Sequence, residues 1–252
     1  MKNIVAFLLL FTSIISAQNA SNLFSEANKL YKEGKYQDAL DLYKQIEDQK
    51  SYSSELYYNI GNCYYKLNQV APTIYNYEKS LVLNPQNEDA QNNLIIAKRL
   101  TLDRIEELPQ TLFQKLDKQF FQQFHYETWA VITIIFSIIA SILFLLFYFS
   151  NIPSKKRLFF VSSTVCFLLL ISTLLISYQQ YNTTSNKVEA IIFSKETAVN
   201  NAPTMNSEEV FALHEGTKVR VLDTVDDWNK IKLVDGKIGW ILNKNLKIIH
   251  NF

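Results

Sequence analysis

Catalysis and metal binding need side chains that titrate, ligate or attack, and this 252-residue chain supplies few of them. Its histidines, His125, His214 and His250, have no metal-ligating neighbour three or four residues away, so none of them begins a helical metal site. Cys63 falls in a polar helical segment and Cys166 in an uncharged apolar one, and neither sits in a nucleophile signature. No glycine-rich phosphate loop, nucleophile elbow or zinc-protease motif occurs. Basic residues number 25 against 24 acidic ones, which leaves no cationic excess to neutralise a nucleic-acid backbone. These absences predict a non-enzymatic chain that needs no cofactor and no metal.

What does recur is a set of aromatic, amide and lysine side chains suited to holding a polypeptide. At one fixed offset Phe24 falls on Tyr58, Ala27 on Gly61, Asn28 on Asn62, Tyr31 on Tyr65, Lys32 on Lys66 and Tyr43 on Tyr77. Gly34 falls on Asn68, and both tolerate the left-handed turn that joins paired helices. The offset equals the period of the tetratricopeptide repeat, a helix-turn-helix unit, and the chain resembles that family over residues 20–53 and 54–87. Ala27 and Gly61 let the helices of a unit approach closely, and Pro85 ends the second copy. Residues 86–108 restart in helical phase at Asn93, Leu94 and Ala97 and read as a capping helix, closing a module over 18–108.

The resemblance implies a partner groove on the first helix of each repeat, formed by Phe24, Asn28, Tyr31, Lys32, Tyr58, Asn59, Asn62, Tyr65 and Lys66. Asparagine side chains can bond both the N–H and the C=O of a bound backbone. A tyrosine-rich solvated face is the competing reading. The basic clamp that some relatives use for a C-terminal carboxylate is not supported, because Phe24 and Asp89 stand at two of its positions.

The elements that carry this module point to an envelope. Residues 1–17 have a basic start at Lys2, a short apolar run from Ile4 to Ile15 and the small exit Ser16-Ala17, the pattern of a cleaved signal peptide. Residues 129–149 and 158–178 are uncharged and apolar throughout, each the length of a membrane-spanning helix. Tyr126, Trp129, Tyr148, Tyr178 and Tyr181 stand at their ends, where interfacial aromatics belong. The connecting segment 150–157 holds Lys155, Lys156 and Arg157 and no acid, which marks it as cytoplasmic and sends both flanking domains to the opposite face. Between the repeats and the first span, residues 109–128 carry Phe113, Leu116, Phe120 and Phe124 on one helical stripe, fit to lie in the headgroup plane or to pack on the repeats.

After 187 the pattern turns to short strands: Val188 to Phe193, Val210 to Leu213, Lys218 to Leu222, Trp228 to Leu233 and Gly239 to Ile241, with Asp235-Gly236 as a hairpin turn. Glu215-Gly216-Thr217-Lys218-Val219, Trp228-Asn229-Lys230-Ile231 and Gly236-Lys237-Ile238-Gly239-Trp240-Ile241 resemble the bacterial SH3-like domain, a small β-barrel, over residues 187–252. That resemblance places Trp228 and Trp240 in the core and gives Gly239 the bend before Trp240. Some relatives bind wall peptides, but no Tyr follows Tyr181 to supply an aromatic shelf.

The expected fold is therefore multidomain α plus β: helical tetratricopeptide hairpins, a two-helix transmembrane hairpin and a small C-terminal SH3-like barrel. This order resembles the BatE proteins of the bacterial aerotolerance operon. The resemblance implies a bacterial inner-membrane protein with both soluble domains periplasmic, working beside von Willebrand A-domain Bat proteins and a MoxR-type ATPase in oxygen or stress tolerance. The expected role is a non-enzymatic scaffold for envelope proteins. An envelope sensor that binds peptidoglycan through the SH3-like domain is the alternative, and a small channel or export component the third reading.

Overall fold

The structure, a computed structural model, describes residues 20–249 apart from 107, 110, 113, 114, 116–119, 122, 123 and 125. The signal-peptide segment and much of the 109–128 stripe, including Phe113 and Leu116, lie outside the described residues. The described residues form two compact units, one from 20–108 with 188–249 and the other within 109–187.

In the first unit, residues 20–32 form α1, followed by α2 (Tyr36–Asp48), α3 (Ser54–Lys66), α4 (Val70–Leu83) and α5 (Glu88–Lys98). The turns after α1 and α3 are made by Gly34 at φ 80° and Asn68 at φ 58°, the left-handed conformation that Gly and Asn tolerate best. Within the second repeat the helices touch where Gly61 faces the Tyr77 ring. A Cβ at Gly61 would lie 2.6 Å from Tyr77 Cδ1. Helix starts repeat as well. Ser53 Oγ accepts from the Leu56 N–H at 3.1 Å, and one repeat period later Asn87 Oδ1 accepts from the Ala90 N–H at 3.0 Å. Helix α5 thus holds the register of the first helix of a third repeat, and the chain leaves it as an irregular strap over residues 99–106.

The second half of this unit is a seven-stranded antiparallel sheet: β1 (Val188–Ile192), β2 (Glu196–Asn200), β3 (Glu209–His214), β4 (Lys218–Val225), β5 (Trp228–Lys232), β6 (Ile238–Leu242) and β7 (Leu246–Ile249), ordered β3-β2-β6-β5-β4-β1-β7. All seven strands supply one core, among them Ile192, Val199, Leu213, Val219, Ile231, Ile241 and Leu246. Strands β2 and β7 go beyond the sequence pattern. Glu196–Asn200 lacks an apolar run, yet Thr197 and Val199 alternate inward.

Strand parity corrects the expected role of Trp240. In β6 Gly239 and Ile241 point into the core, so Trp240 turns to the outer face and is only half-buried. Trp228 is buried at 8% exposure, but its register partners Val225 and Leu242 place it on that same outer face. Gly239 serves close approach rather than a bend: a Cβ there would meet Val199 Cγ1 at 2.4 Å.

The repeats and the sheet do not stand apart. Ile74, Tyr75, Leu94 and Ala97 share one buried cluster with Ile191 and Ile249 of the sheet. The Tyr75 hydroxyl donates to the Ile248 carbonyl at 3.2 Å, and its ring meets Phe193 edge-on at 5.6 Å. Glu78, 7% exposed, lies 2.7 Å from Lys218 Nζ and 3.0 Å from Lys98 Nζ, and Lys218 also pairs with Glu189 at 2.6 Å. The strap seals the junction. Asp103 accepts from the His214 backbone N–H at 2.7 Å and from Thr217 Oγ1 at 2.5 Å, and Ile105 packs against the sheet core.

The second unit is a helical hairpin of α6 (Tyr126–Phe149) and α7 (Pro153–Asn186). At 1.5 Å per residue they are about 36 and 51 Å long, against a hydrocarbon layer of about 30 Å. Both are long and apolar enough to cross a membrane, and their apolar side chains are mostly exposed. Hydroxyls join them: Ser163 donates to the Ala140 carbonyl at 3.2 Å, Ser177 to the Tyr126 carbonyl at 3.0 Å, and the Thr133 and Thr173 oxygens are 3.0 Å apart. Two features differ from the sequence pattern. Pro153 opens α7, as proline does at a first helical position, so Lys155, Lys156 and Arg157 stand in its first turns rather than in a loop. The polar stretch Asn182 to Asn186, whose composition reads as a turn between the span and the strands, instead continues the helix, since it contains neither Gly nor Pro.

Candidate functional site

The repeat period extends from sequence into hydrogen bonds. Tyr43 Oη donates to Asn28 Oδ1 at 2.6 Å, and Tyr77 Oη donates to Asn62 Oδ1 at 2.7 Å. Asn59 Nδ2 reaches the same Asn28 oxygen at 3.2 Å, and Asn93 Nδ2 reaches the Asn62 oxygen at 3.0 Å. Every donor and acceptor in the second set stands one full period after its counterpart in the first. Each asparagine therefore spends its carbonyl oxygen fixing a buried tyrosine and the next helix. Burial pushes the Tyr43 and Tyr77 hydroxyls well above the ordinary phenol range and keeps them donors. Burial also pushes the Cys63 thiol up to about 12, which keeps it protonated and unreactive.

Against this network opens a pocket of about 350 Å³ lined by Tyr31, Tyr58, Asn62, Tyr65, Lys66, Tyr77, Asn93 and Ile96. The volume lies at the lower end of the roughly 300–1,000 Å³ of ligand sites. Five of the nine expected groove residues line it: Tyr31, Tyr58, Asn62, Tyr65 and Lys66. The other four stand outside the lining. Phe24 packs edge-on against Tyr43 at 5.6 Å, Asn28 and Asn59 bond each other, and Lys32 is exposed on α1. Tyr77, Asn93 and Ile96 are the pocket residues that the groove pattern missed. Asn93 was within reach, since it lies one period after Asn59. Lys66 is exposed and forms no ion pair among the described residues.

A second surface lies on the sheet. Across the β5–β6 ladder Lys230 pairs with Trp240 and Lys232 with Ile238, and Lys230 Nζ sits 5.8 Å from the Trp240 ring centroid. This outer face carries cations and a half-exposed indole.

A family model for the tetratricopeptide repeat matches residues 54–87, and one for the bacterial SH3 domain matches residues 197–247. The chain thus contains two kinds of module that act by binding rather than by catalysis. No curated protein matches it. Among solved structures it is similar to the type III secretion translocator chaperone SycD of Yersinia enterocolitica (alternative dimer). The two are 20% identical, the match covers 63% of this chain and 93% of that one, and the TM-score is 0.31.

Proposed function

We infer that this protein is a membrane-anchored, non-enzymatic adaptor that holds an envelope protein in the groove of its tetratricopeptide helices. The observation that supports it most is the open pocket built by equivalent residues of successive repeats, Tyr31 and Tyr65 among them, over a fixed hydrogen-bonded floor. The apolar hairpin is the anchor, with Lys155, Lys156 and Arg157 on the cytoplasmic side and the repeat and SH3-like halves in the periplasm of a bacterial inner membrane. In this reading the protein is a BatE-like member of an aerotolerance complex, and its partners are other envelope proteins such as the von Willebrand A-domain Bat proteins. The test is crosslinking in intact cells, comparing the wild type with a Tyr31→Ala, Tyr65→Ala, Lys66→Ala variant. Asn28 and Asn62 are left intact because they hold the fold. Loss of specific crosslinked proteins with unchanged abundance of the variant supports the groove, and an unchanged crosslink pattern overturns it.

The outer sheet face favours a second reading, an envelope sensor for peptidoglycan, because Trp240 and Lys230 offer an aromatic and a cation side by side. Retention of the full chain on purified sacculi, lost on Trp240→Ala, is the result it requires.

A further inference from the structure

The pocket's own chemistry narrows what the groove holds, granted the adaptor reading above. Its walls are aromatic and aliphatic: Tyr31, Tyr58, Tyr65 and Ile96 surround the space. Its lower wall is polar but already committed. Asn62 Oδ1 accepts from both Tyr77 Oη and Asn93 Nδ2, and Asn93 Nδ2 also reaches Tyr58 Oη at 3.3 Å. Among the described residues this network leaves for a ligand the Asn62 amide as donor and the Asn93 carbonyl as acceptor, the pair that one peptide group requires. A volume of about 350 Å³ takes one large side chain with its adjoining backbone and no folded element.

Charge supplies the remaining constraint. Residues 18–128 carry 12 bases against 15 acids, an acidic stretch, yet the pocket lining contains Lys66 and no carboxylate. The period puts Lys32 at the matching position one repeat earlier, also exposed. The groove is thus a cationic, aromatic strip on an acidic module, a pattern that attracts acidic segments and repels basic ones.

We propose that the groove binds an extended, acidic peptide segment anchored by one aromatic side chain. The ring seats among Tyr31, Tyr58 and Tyr65, where edge-to-face packing adds to apolar burial. Its peptide group bonds Asn62 and Asn93, and a carboxylate one or two residues away meets Lys66. An internal segment satisfies these contacts, so no free C-terminus is needed.

Fluorescence anisotropy with the detergent-solubilised full chain tests this, using three labelled nine-residue peptides. One has a central Trp flanked by Glu, one the same Trp flanked by Lys, and one Ala in place of Trp between the Glu residues. The expected order is Glu-Trp tightest, with Lys-Trp weaker by about three- to tenfold, the scale of an exposed attraction turned into a repulsion. Glu-Ala should be weaker still. Lys66→Glu should reverse the preference between the two Trp peptides, while Tyr65→Ala should weaken both. Equal binding of the Glu and Lys peptides, or an unchanged preference in Lys66→Glu, overturns the proposal. If none of the peptides binds but the triple groove variant still loses its crosslinks in cells, this ligand class is wrong and the adaptor reading survives. If the crosslinks also persist, both fall.

Discussion

Replacing Glu78 by Gln should loosen the repeats from the sheet. Glu78 is buried on α4 and faces two ammonium groups, Lys218 at 2.7 Å and Lys98 at 3.0 Å. Burial alone would raise its pKa, but the Lys218 and Lys98 charges outweigh burial and bring it from 4.5 down to about 2. A shift of that size corresponds to about 3 kcal/mol of preference for the charged form in the folded state, at 1.36 kcal/mol per pKa unit. That is on the scale of breaking a buried ion pair, about 3–5 kcal/mol. Because the folded pKa is depressed, the contribution is present in full above the ordinary carboxylate value. It is lost as pH falls from 4.5 toward 2. The assay is hydrogen exchange of the full chain in detergent, followed in peptides from α4 and β4. Glu78→Gln should speed exchange there by about a hundredfold at neutral pH, while α1 and α2 change little. The double variant Glu78→Gln, Lys218→Met should lose less than the two single changes summed, since it removes both ends of the Glu78–Lys218 pair together, while the losses at Lys98 and Glu189 are already counted in the single variants. Protection of α4 and β4 unchanged within about threefold, or strict additivity, would refute the reasoning.

Three further outcomes follow from the same contacts. Asn62→Ala removes the acceptor of Tyr77 Oη and Asn93 Nδ2 and should cost about 1–3 kcal/mol in denaturant unfolding of the repeats. Gly239→Ala drives a methyl into Val199 and should cost about 1–3 kcal/mol, read from the same unfolding curves through the sheet tryptophans. The Asp103–His214 clip, with Nδ1 2.7 Å from the carboxylate, should give protease resistance of the strap a bell-shaped pH dependence. Burial pushes Asp103 up, but hydrogen bonds from Thr217 and His214 pull it below its ordinary range, so its contribution disappears as pH falls through the carboxylate region. His214 is raised, chiefly by its hydrogen bond to Asp103, so its contribution is present at and below its ordinary range and disappears as pH rises above it. Asp103→Asn should flatten both limbs.

The repeat was legible because its signal is duplicated. Each helix pair needs a small residue at its crossing, a left-handed turn and a buried tyrosine, and an offset of one period exposes all three at once. The apolar hairpin was legible from composition alone, since uncharged apolar runs long enough to span a bilayer have few other uses. The sheet was half legible. Val219, Val221 and Ile231 announce their strands, whereas β2 is held by Thr197 and Val199 with no apolar run to mark it. Trp240 is misplaced by the sequence pattern because aromatic character suggests burial, while strand parity, which decides it, depends on a register that residue types alone do not fix. Asn62 reads as a ligand donor and is first a structural acceptor. Only the folded chain reveals that Tyr77 and Asn93 have claimed its oxygen.

The junction between repeats and sheet left a trace that repeat comparison alone can recover in hindsight. Helices α2 and α4 occupy equivalent positions in the two copies, but they meet different surroundings. On α2 the positions Asp41 and Lys44 are exposed, as the outer face of a terminal repeat should be. One period later the chain has Tyr75 and Glu78, both buried, one against Phe193 and the Ile248 carbonyl, the other against Lys218. A solvated position that becomes aromatic, and a lysine that becomes a buried acid facing a part-buried lysine, are substitutions a free repeat surface has no reason to make. They fit a helix covered on both sides. A solenoid of two repeats must cap its last unit, and here the cap has two parts: α5, in the register of a third repeat, and the sheet, which takes the face that a further helix pair would cover. The SH3-like half is therefore bound into the array as its terminus, held by Glu78, Tyr75 and the Asp103 strap. Its unattached outer face, with Trp240 and Lys230, and the groove at Tyr31 and Tyr65 are presented by one body. Partners on the two surfaces would be held at a fixed spacing rather than at the ends of a flexible tether.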